Sequence, residues 1–263
     1  MNVRLVAVLF AEFVAAMAPG AHAGRSCEER PVAAEKVQHA LEIAHQVRQR
    51  LDDSGAELVL IGRAGQDLSK WGLKYSHFGI AWRDHAKGRW LVVHELNQCG
   101  TDRADLFDEG LGNFFLDDLW KMEAVVLVPG APTQQRIAQV LKEGRHLDFL
   151  ERHYSMVAYP FSTRYQNSNQ WALEVIAAAM AGNEGVASRA QAQSYLHRAG
   201  FEPTELKLGT LTRLGARVTR ANVAFDDHPG ELRWSNRIRT VTVESVFKFV
   251  ERIDPDSRRF EVR

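Results

Sequence analysis

Two runs of β-forming residues separated by a short polar segment constrain the fold of this chain more than any other feature. The runs are Tyr75–Trp82 and Trp90–Leu96, and both are rich in aromatic and β-branched residues. The segment between them, Asp84–Gly88, has the composition of a turn. Two strands joined by a short turn pair most simply as an antiparallel hairpin. The sequence therefore predicts an antiparallel sheet around this hairpin.

Helices and further strands surround the hairpin. Strands are predicted at Glu57–Gly62 and Glu123–Val128. Apolar residues three or four positions apart predict helices at 32–52, from Pro132 to Gly144, from Asn167 or Ser168 to Ala181, at 187–199 and at Val243–Ile253. The stretch 204–240 mixes β-prone and turn residues. Because no internal repeat or linker interrupts these elements, residues 24–263 are predicted to form a single α+β domain.

Charge and hydropathy exclude two classes of protein. The chain carries 33 Lys and Arg against 33 Asp and Glu, with no basic block, which argues against a nucleic-acid partner. One segment, Leu5–Ala18, is strongly apolar. It is shorter than the roughly 20 residues that a membrane-spanning helix needs. A protein that crosses the membrane several times is therefore excluded.

The N-terminal segment has the three parts of a secretory signal. Arg4 supplies a positive charge, Leu5–Met17 the apolar run, and Ala21–Ala23 a small-x-small cleavage pattern. Residues 1–23 are therefore predicted to be a signal peptide that is cleaved after Ala23, which places the protein in the periplasm or outside the cell. The alternative is a buried N-terminal helix that ends at Pro19.

The predicted export changes the interpretation of the two cysteines. Cys27 and Cys99 form the only possible intrachain pair, and paired cysteines in an oxidising compartment are more often bridged than free. A disulfide between them is predicted. The alternative is two unrelated buried thiols.

Three side chains from distant segments form the strongest candidate site. His77 and His94 lie in the two strands of the predicted hairpin, where their rings can approach each other, and Ser168 lies at the start of a predicted helix. Backbone N–H groups at a helix N-terminus favour a developing negative charge. A nucleophile, a base and a group that orients the base are what covalent catalysis requires.

On these residues the chain resembles known families. The run LIGRAGQDLS at Leu60–Ser69, the strand YSHFGI at Tyr75–Ile80 and the helix start QNSNQW at Gln166–Trp171 resemble a bacterial family of exported proteins known only as a domain of unknown function. This resemblance covers most of residues 25–255. Residues 57–181 also resemble, more distantly, the circularly permuted NlpC-type branch of papain-like peptidases and acyltransferases. The implied fold is a permuted papain-like antiparallel sheet packed against helices.

The broader resemblance implies a role for each candidate residue. His77 corresponds to the base, His94 to the residue that orients it, and Ser168 to the position of a nucleophilic cysteine. The serine is a departure, because a serine hydroxyl depends on its base for nearly all of its activation. Serine is also a favoured helix N-cap, so Ser168 as a cap without chemistry is the alternative. If the facing of the strand is reversed, Glu95 replaces His94 as the orienting group.

Two amides beside Ser168 complete the predicted site. Asn167 and Gln170 are candidates to bind an oxyanion through their side-chain N–H groups. No metal or other cofactor is predicted. The predicted function is hydrolysis or acyl transfer at a peptide, amide or acyl group of an unknown envelope substrate. The competing interpretation is a catalytically silent binding or scaffold protein of the envelope that keeps the cleft.

Overall fold

A computed structural model describes residues 32–117 and 119–263 of the chain. Its first helix, α1 (Ala34–Asp53), coincides with the helix predicted at 32–52. One face of α1 is buried through Ala40, Ile43, Ala44, Val47 and Leu51, which are the apolar positions of its helical repeat. The segment 1–23 and Cys27 lie outside the described residues, so signal cleavage stays a prediction.

A six-stranded antiparallel sheet forms the centre of the molecule. Its spatial order is β4-β3-β2-β1-β5-β8, and every neighbouring pair is antiparallel. The strands are β1 (Leu58–Ala64), β2 (His77–His85), β3 (Gly88–Asn97), β4 (Ala104–Gly110), β5 (Lys121–Val128) and β8 (Arg258–Val262). The predicted hairpin is confirmed, because β2 pairs with β3 from Ile80–Val93 to His85–Gly88.

Helices cover both faces of this sheet, and each face has its own apolar core. On one face β-strand residues such as Phe78 and Ile80 pack against α3, α4 and α8. On the other face residues such as Val92 pack against α1 and the short helix α2. The helices after α1 are α2 (Leu111–Leu116), α3 (Ala131–Lys142), α4 (Ser168–Met180), α5 (Arg189–Arg198), α6 (Thr210–Thr219), α7 (Gly230–Trp234) and α8 (Val243–Ile253). The predicted α+β class is confirmed.

Three elements of this sheet and its cover were not predicted from the sequence. They are β4, α2 and the closing strand β8. The acidic composition of β4 and the two arginines of β8 hide their strand character, since strand-forming side chains are a minority in both. The mixed stretch 204–240 contains two short strands, β6 (Thr204–Lys207) and β7 (Arg237–Thr240), which pair with each other in a separate small sheet.

Within the described ranges, no helix combines the length and the apolar character that crossing a bilayer requires.

The sheet and the helix α4 together give the candidate site a frame made of three parts. These parts are the hairpin β2–β3, the strand β4 at its edge, and the N-terminus of α4.

Candidate functional site

The two predicted histidines meet across the hairpin. His77 is the first residue of β2, and His94 lies in β3. Their side chains lie on the same face of the sheet, and His77 Nε2 is 2.8 Å from His94 Nδ1. Of the two candidates, His94 is therefore the one that faces His77, and Glu95 points to the opposite face, as alternation along a strand requires.

A glycine between the two histidines allows this close approach. A Cβ atom on Gly79 would lie 2.6 Å from Val92 Cγ1 and 2.9 Å from the His94 Cβ. Both distances are shorter than van der Waals contact, so any side chain at this position would push β3 away from β2. The hydrogen-bonding distance between the two rings thus depends on the absence of a side chain at position 79.

The third predicted residue completes the group. Ser168 is the first residue of α4, and its Oγ lies 3.0 Å from His77 Nδ1. Its helix is capped by another side chain, because Asn167 Oδ1 accepts a hydrogen bond from the Gln170 N–H at 2.9 Å. The interpretation of Ser168 as the helix cap is wrong for this reason. We call Ser168, His77 and His94 the relay.

Asn169 holds the helix and the strand of the relay in register. Its Oδ1 accepts a hydrogen bond from the Phe78 N–H at 3.1 Å, and its Nδ2 donates to the Ser76 carbonyl at 3.3 Å. These two backbone groups flank His77. Asn169 therefore clamps the start of β2 to the start of α4, and this contact brings two residues that are 91 positions apart to hydrogen-bonding distance.

A carboxylate continues the relay beyond His94. Glu109, in β4, places Oε2 3.2 Å from His94 Nε2, and it approaches from the side rather than along the N–H bond. His94 is fully buried, whereas the Glu109 side chain is 25% exposed. The interaction with His94 lowers the pKa of Glu109, against the opposing effect of burial, so this carboxylate is ionised at neutral pH.

Arg63 stands beside His77 in the neighbouring strand. The two residues are register partners of β1 and β2, so they share a face of the sheet. The Arg63 guanidinium donates to the Phe114 carbonyl and pairs with Asp117 at 2.8 Å. Burial, followed by the charge of Arg63 and the contact with His94, holds the pKa of His77 well below 6.5. His77 is therefore a neutral imidazole at physiological pH.

Burial also lowers the pKa of His94, although Glu109 opposes this effect. Both rings of the relay are thus neutral at rest, and each carries one proton on one of its two nitrogens. Ser168 and His77 keep 7% and 8% of their surface exposed, so both are buried.

The hydroxyl of Tyr154 lies next to the nucleophile position. Burial raises the pKa of Tyr154, and the neighbouring Ser168 partly offsets this rise. Tyr154 follows an irregular segment and carries no motif, so the sequence offered no signal for it. Its phenol is a donor that stays protonated at neutral pH.

The two predicted amide donors are used elsewhere. Asn167 Nδ2 donates to Thr240 Oγ1 at 2.9 Å, and Gln170 Nε2 donates to Glu174 Oε1 at 3.0 Å. Both N–H groups therefore serve the fold in this conformation. The contacts favour structural roles, and oxyanion binding by these two side chains stays a prediction.

Gln170 belongs to a second buried polar group, which we call the Glu174 cluster. The Glu174 carboxylate accepts hydrogen bonds from the Arg189 Nε at 2.8 Å. It also accepts from three glutamine amides, those of Gln166, Gln170 and Gln193, at 2.7 to 3.0 Å. Glu174 is completely buried. Glu95 is also completely buried, but neither of its oxygens has a hydrogen-bond partner among the described residues, and burial raises its pKa well above the usual value.

The predicted disulfide lies partly outside the described residues. Cys99 follows β3, whereas Cys27 lies outside the described residues, so the bridge stays a prediction. The residues that sequence reasoning missed around the relay are Glu109, Asn169, Tyr154, Arg63 and Gly79. Arg63, Gly79 and Asn169 stand inside the motifs that carried the resemblance, but their roles depend on strand register and on the junction between β2 and α4.

Comparison with protein-family models finds a match over most of the chain. A family model described as "Uncharacterized protein conserved in bacteria (DUF2145)" matches residues 50–250. This range contains every member of the relay and Glu109. Comparisons with curated proteins and with solved structures find no match for the chain.

Proposed function

We propose that this chain, which belongs to the DUF2145 family of bacterial proteins, is a serine-dependent hydrolase or acyltransferase that acts on amide or acyl bonds of the cell envelope. One observation carries the proposal: the Ser168 Oγ lies 3.0 Å from the Nδ1 of a buried, neutral His77, whose other nitrogen contacts His94 at 2.8 Å. A nucleophile, a base and an orienting group are all within hydrogen-bond reach.

The chemistry begins with attack by the serine hydroxyl. The Ser168 Oγ forms a bond to the carbonyl carbon of the substrate while its proton passes to His77 Nδ1. The C–N or C–O bond of the substrate then breaks, and the leaving group takes the proton from His77. An acyl-serine remains. Water attacks it in a hydrolase, or another nucleophile in an acyltransferase; its proton passes through His77 back to Ser168 Oγ.

Negative charge on the carbonyl oxygen has donors at the start of α4. The N–H groups of Ser168 and Asn169 belong to the first turn of the helix, where backbone donors have no partner within the helix. The protonated hydroxyl of Tyr154, which contacts Ser168, is a third donor for this oxyanion. A preorganised donor of this kind accounts for about 3–4 kcal/mol of barrier lowering in other enzymes.

The resemblance to permuted papain-like enzymes supports the same assignment. The order of a histidine strand, a second polar strand and a later helix that opens with the nucleophile is the order found here. Serine in the place of cysteine makes activation by His77 obligatory, because a hydroxyl is not ionised at neutral pH. A pKa of His77 below 6.5 keeps the proton-accepting nitrogen available throughout the neutral range.

A fluorophosphonate probe tests the proposal directly, because it phosphonylates serines that a base activates. We expect labelling of the full chain at Ser168, located by mass spectrometry, with the rate maintained at pH 6.5 and falling only at lower pH. Ser168→Ala and His77→Ala should each abolish labelling, and Ser194→Ala, at an exposed serine in α5, should not. A folded wild-type chain that resists the probe would instead favour the silent binding or scaffold protein.

Export to the envelope is the second part of the proposal. It is supported by the charged start, apolar run and Ala-His-Ala pattern of residues 1–23. Mass spectrometry of the periplasmic fraction should find Gly24 as the N-terminal residue. Recovery of chains that begin at Met1 from the cytoplasm alone would contradict the proposed location, while leaving the proposed chemistry open to the probe experiment.

A further inference from the structure

Resting on the proposed function, we infer that Glu109 is a positioning residue that sets the direction in which the relay carries the proton of Ser168. It does not touch the reacting atoms. It acts through His94, whose Nε2 lies 3.2 Å from Glu109 Oε2, and through the contact between the two imidazole rings.

Glu109 Oε2 lies 3.2 Å from His94 Nε2 but off the N–H direction, so it acts on that nitrogen through its charge: a carboxylate repels a lone pair there and favours the positive end of an N–H bond. His94 therefore carries its single proton on Nε2, and its Nδ1 is an acceptor. His77 Nε2, 2.8 Å away, must then carry the proton of its own ring. That leaves His77 Nδ1 unprotonated at 3.0 Å from Ser168 Oγ, ready to accept the serine proton.

Without Glu109 the opposite arrangement is equally well bonded. His94 Nδ1–H would donate to His77 Nε2, and His77 Nδ1–H would donate to the Ser168 oxygen. The contacts between the three residues of the relay are the same in both arrangements, so their geometry does not choose between them. In the reversed arrangement Ser168 has no base. The carboxylate at the end of the chain decides whether the serine can be activated.

Position and exposure suit Glu109 to this task. It lies in the edge strand β4, paired with Val92, so it reaches His94 from the neighbouring strand without entering the core. The contact with the fully buried His94 keeps Glu109 ionised, and its partial exposure limits the opposing effect of burial. The charge is therefore held at the surface, and only its effect on proton position is transmitted inward.

Nitrogen NMR of the imidazole rings tests the inference without relying on activity, because protonated and unprotonated ring nitrogens have distinct chemical shifts. We expect the full chain to show His77 Nδ1 and His94 Nδ1 unprotonated, with signals assigned from His77→Gln and His94→Gln. In Glu109→Ala we expect protonation at His77 Nδ1 to appear. Glu109→Gln, whose amide oxygen still accepts, should retain the wild-type tautomers.

Labelling by the fluorophosphonate probe should follow the tautomers. Loss of the acceptor predicts a roughly 10- to 100-fold slower reaction for Glu109→Ala, whereas Glu109→Gln, which retains the tautomers, should react at close to the wild-type rate. The matched control is Asp105→Asn, at a carboxylate of the same strand with similar exposure, which pairs with Arg152 and should leave the rate and the tautomers unchanged.

The outcomes separate this inference from the proposed function. Predicted tautomers in a wild-type chain that the probe never labels would refute the proposed function and leave the role of Glu109 intact. A protonated His77 Nδ1 in the wild type would overturn the inference. So would a Glu109→Ala chain with unchanged tautomers and labelling rate.

Discussion

The two buried polar groups around α4 are built on opposite plans. In the Glu174 cluster, one arginine and three amides all donate to the same carboxylate, so these hydrogen bonds converge on one acceptor. In the relay, each histidine uses one nitrogen toward each neighbour, and the contacts run in a line from Ser168 to Glu109. A convergent group holds elements together, whereas a linear group can move a proton along its length.

The largest effect should come from breaking the convergent group. Glu174→Ala leaves the Arg189 guanidinium buried without its carboxylate, and we expect the free energy of unfolding to fall by about 3–5 kcal/mol. Urea denaturation measures this. Ser168→Ala, in the same helix, should change stability by less than about 1 kcal/mol. Equal losses in both variants would mean that the relay is as structural as the Glu174 cluster.

A thiol at the end of the linear group should report its chemistry. In Ser168→Cys, the helix N-terminus and His77 both favour the thiolate, and a pKa lowered by about two units would make alkylation at pH 6 roughly 100-fold faster than that of a simple exposed thiol. Adding His77→Ala should remove most of this excess. The unsubstituted chain, alkylated in parallel, accounts for Cys27 and Cys99. An introduced thiol of ordinary reactivity would contradict the relay.

Glu95 extends the comparison, because it is a buried carboxyl group that belongs neither to the convergent group nor to the linear one. Its pKa is raised above the usual 4.5, so folding takes up a proton and stability falls as the pH rises above that value. Glu95→Gln removes this loss and should stabilise the protein by about 1–3 kcal/mol at pH 7. The gain should vanish below about pH 4.5 in thermal melts. Glu202→Gln, at an exposed glutamate, should show no such gain.

The smallest effect concerns the cap that orients Ser168. Asn167→Ala should cost about 1–2 kcal/mol of stability, because it removes both the cap of α4 and the donor to Thr240, and it should also slow labelling of Ser168 by the fluorophosphonate. Ser188→Ala is the matched control, as Ser188 caps α5 in the same way but far from the relay in sequence. It should lose similar stability at an unchanged labelling rate. Identical labelling in both variants would show that the cap does not position Ser168.

The members of the relay were predictable because each lies in a local pattern. His77 and His94 stand in runs of strand-forming residues, and Ser168 opens a segment with helical periodicity. Glu109 was not predictable, since β4 has an acidic composition that local propensity does not favour as a strand. Arg63 was visible in a motif, but its place beside His77 follows from the register of β1 and β2. Contacts set by pairing between strands are not encoded in any single segment.

The bare backbone at Gly79 has a consequence for how such a protein can change over generations. While the two rings must touch, only hydrogen is tolerated there, because a Cβ would press on Val92 and His94. In a lineage that no longer needs the relay, this restriction ends and Gly79 can be replaced. The new side chain would then push β2 and β3 apart. Restoring Ser168 or His77 afterwards would not bring the rings back together. Once Gly79 has been replaced, a single reversion at Ser168 or His77 is therefore not enough to restore the lost chemistry.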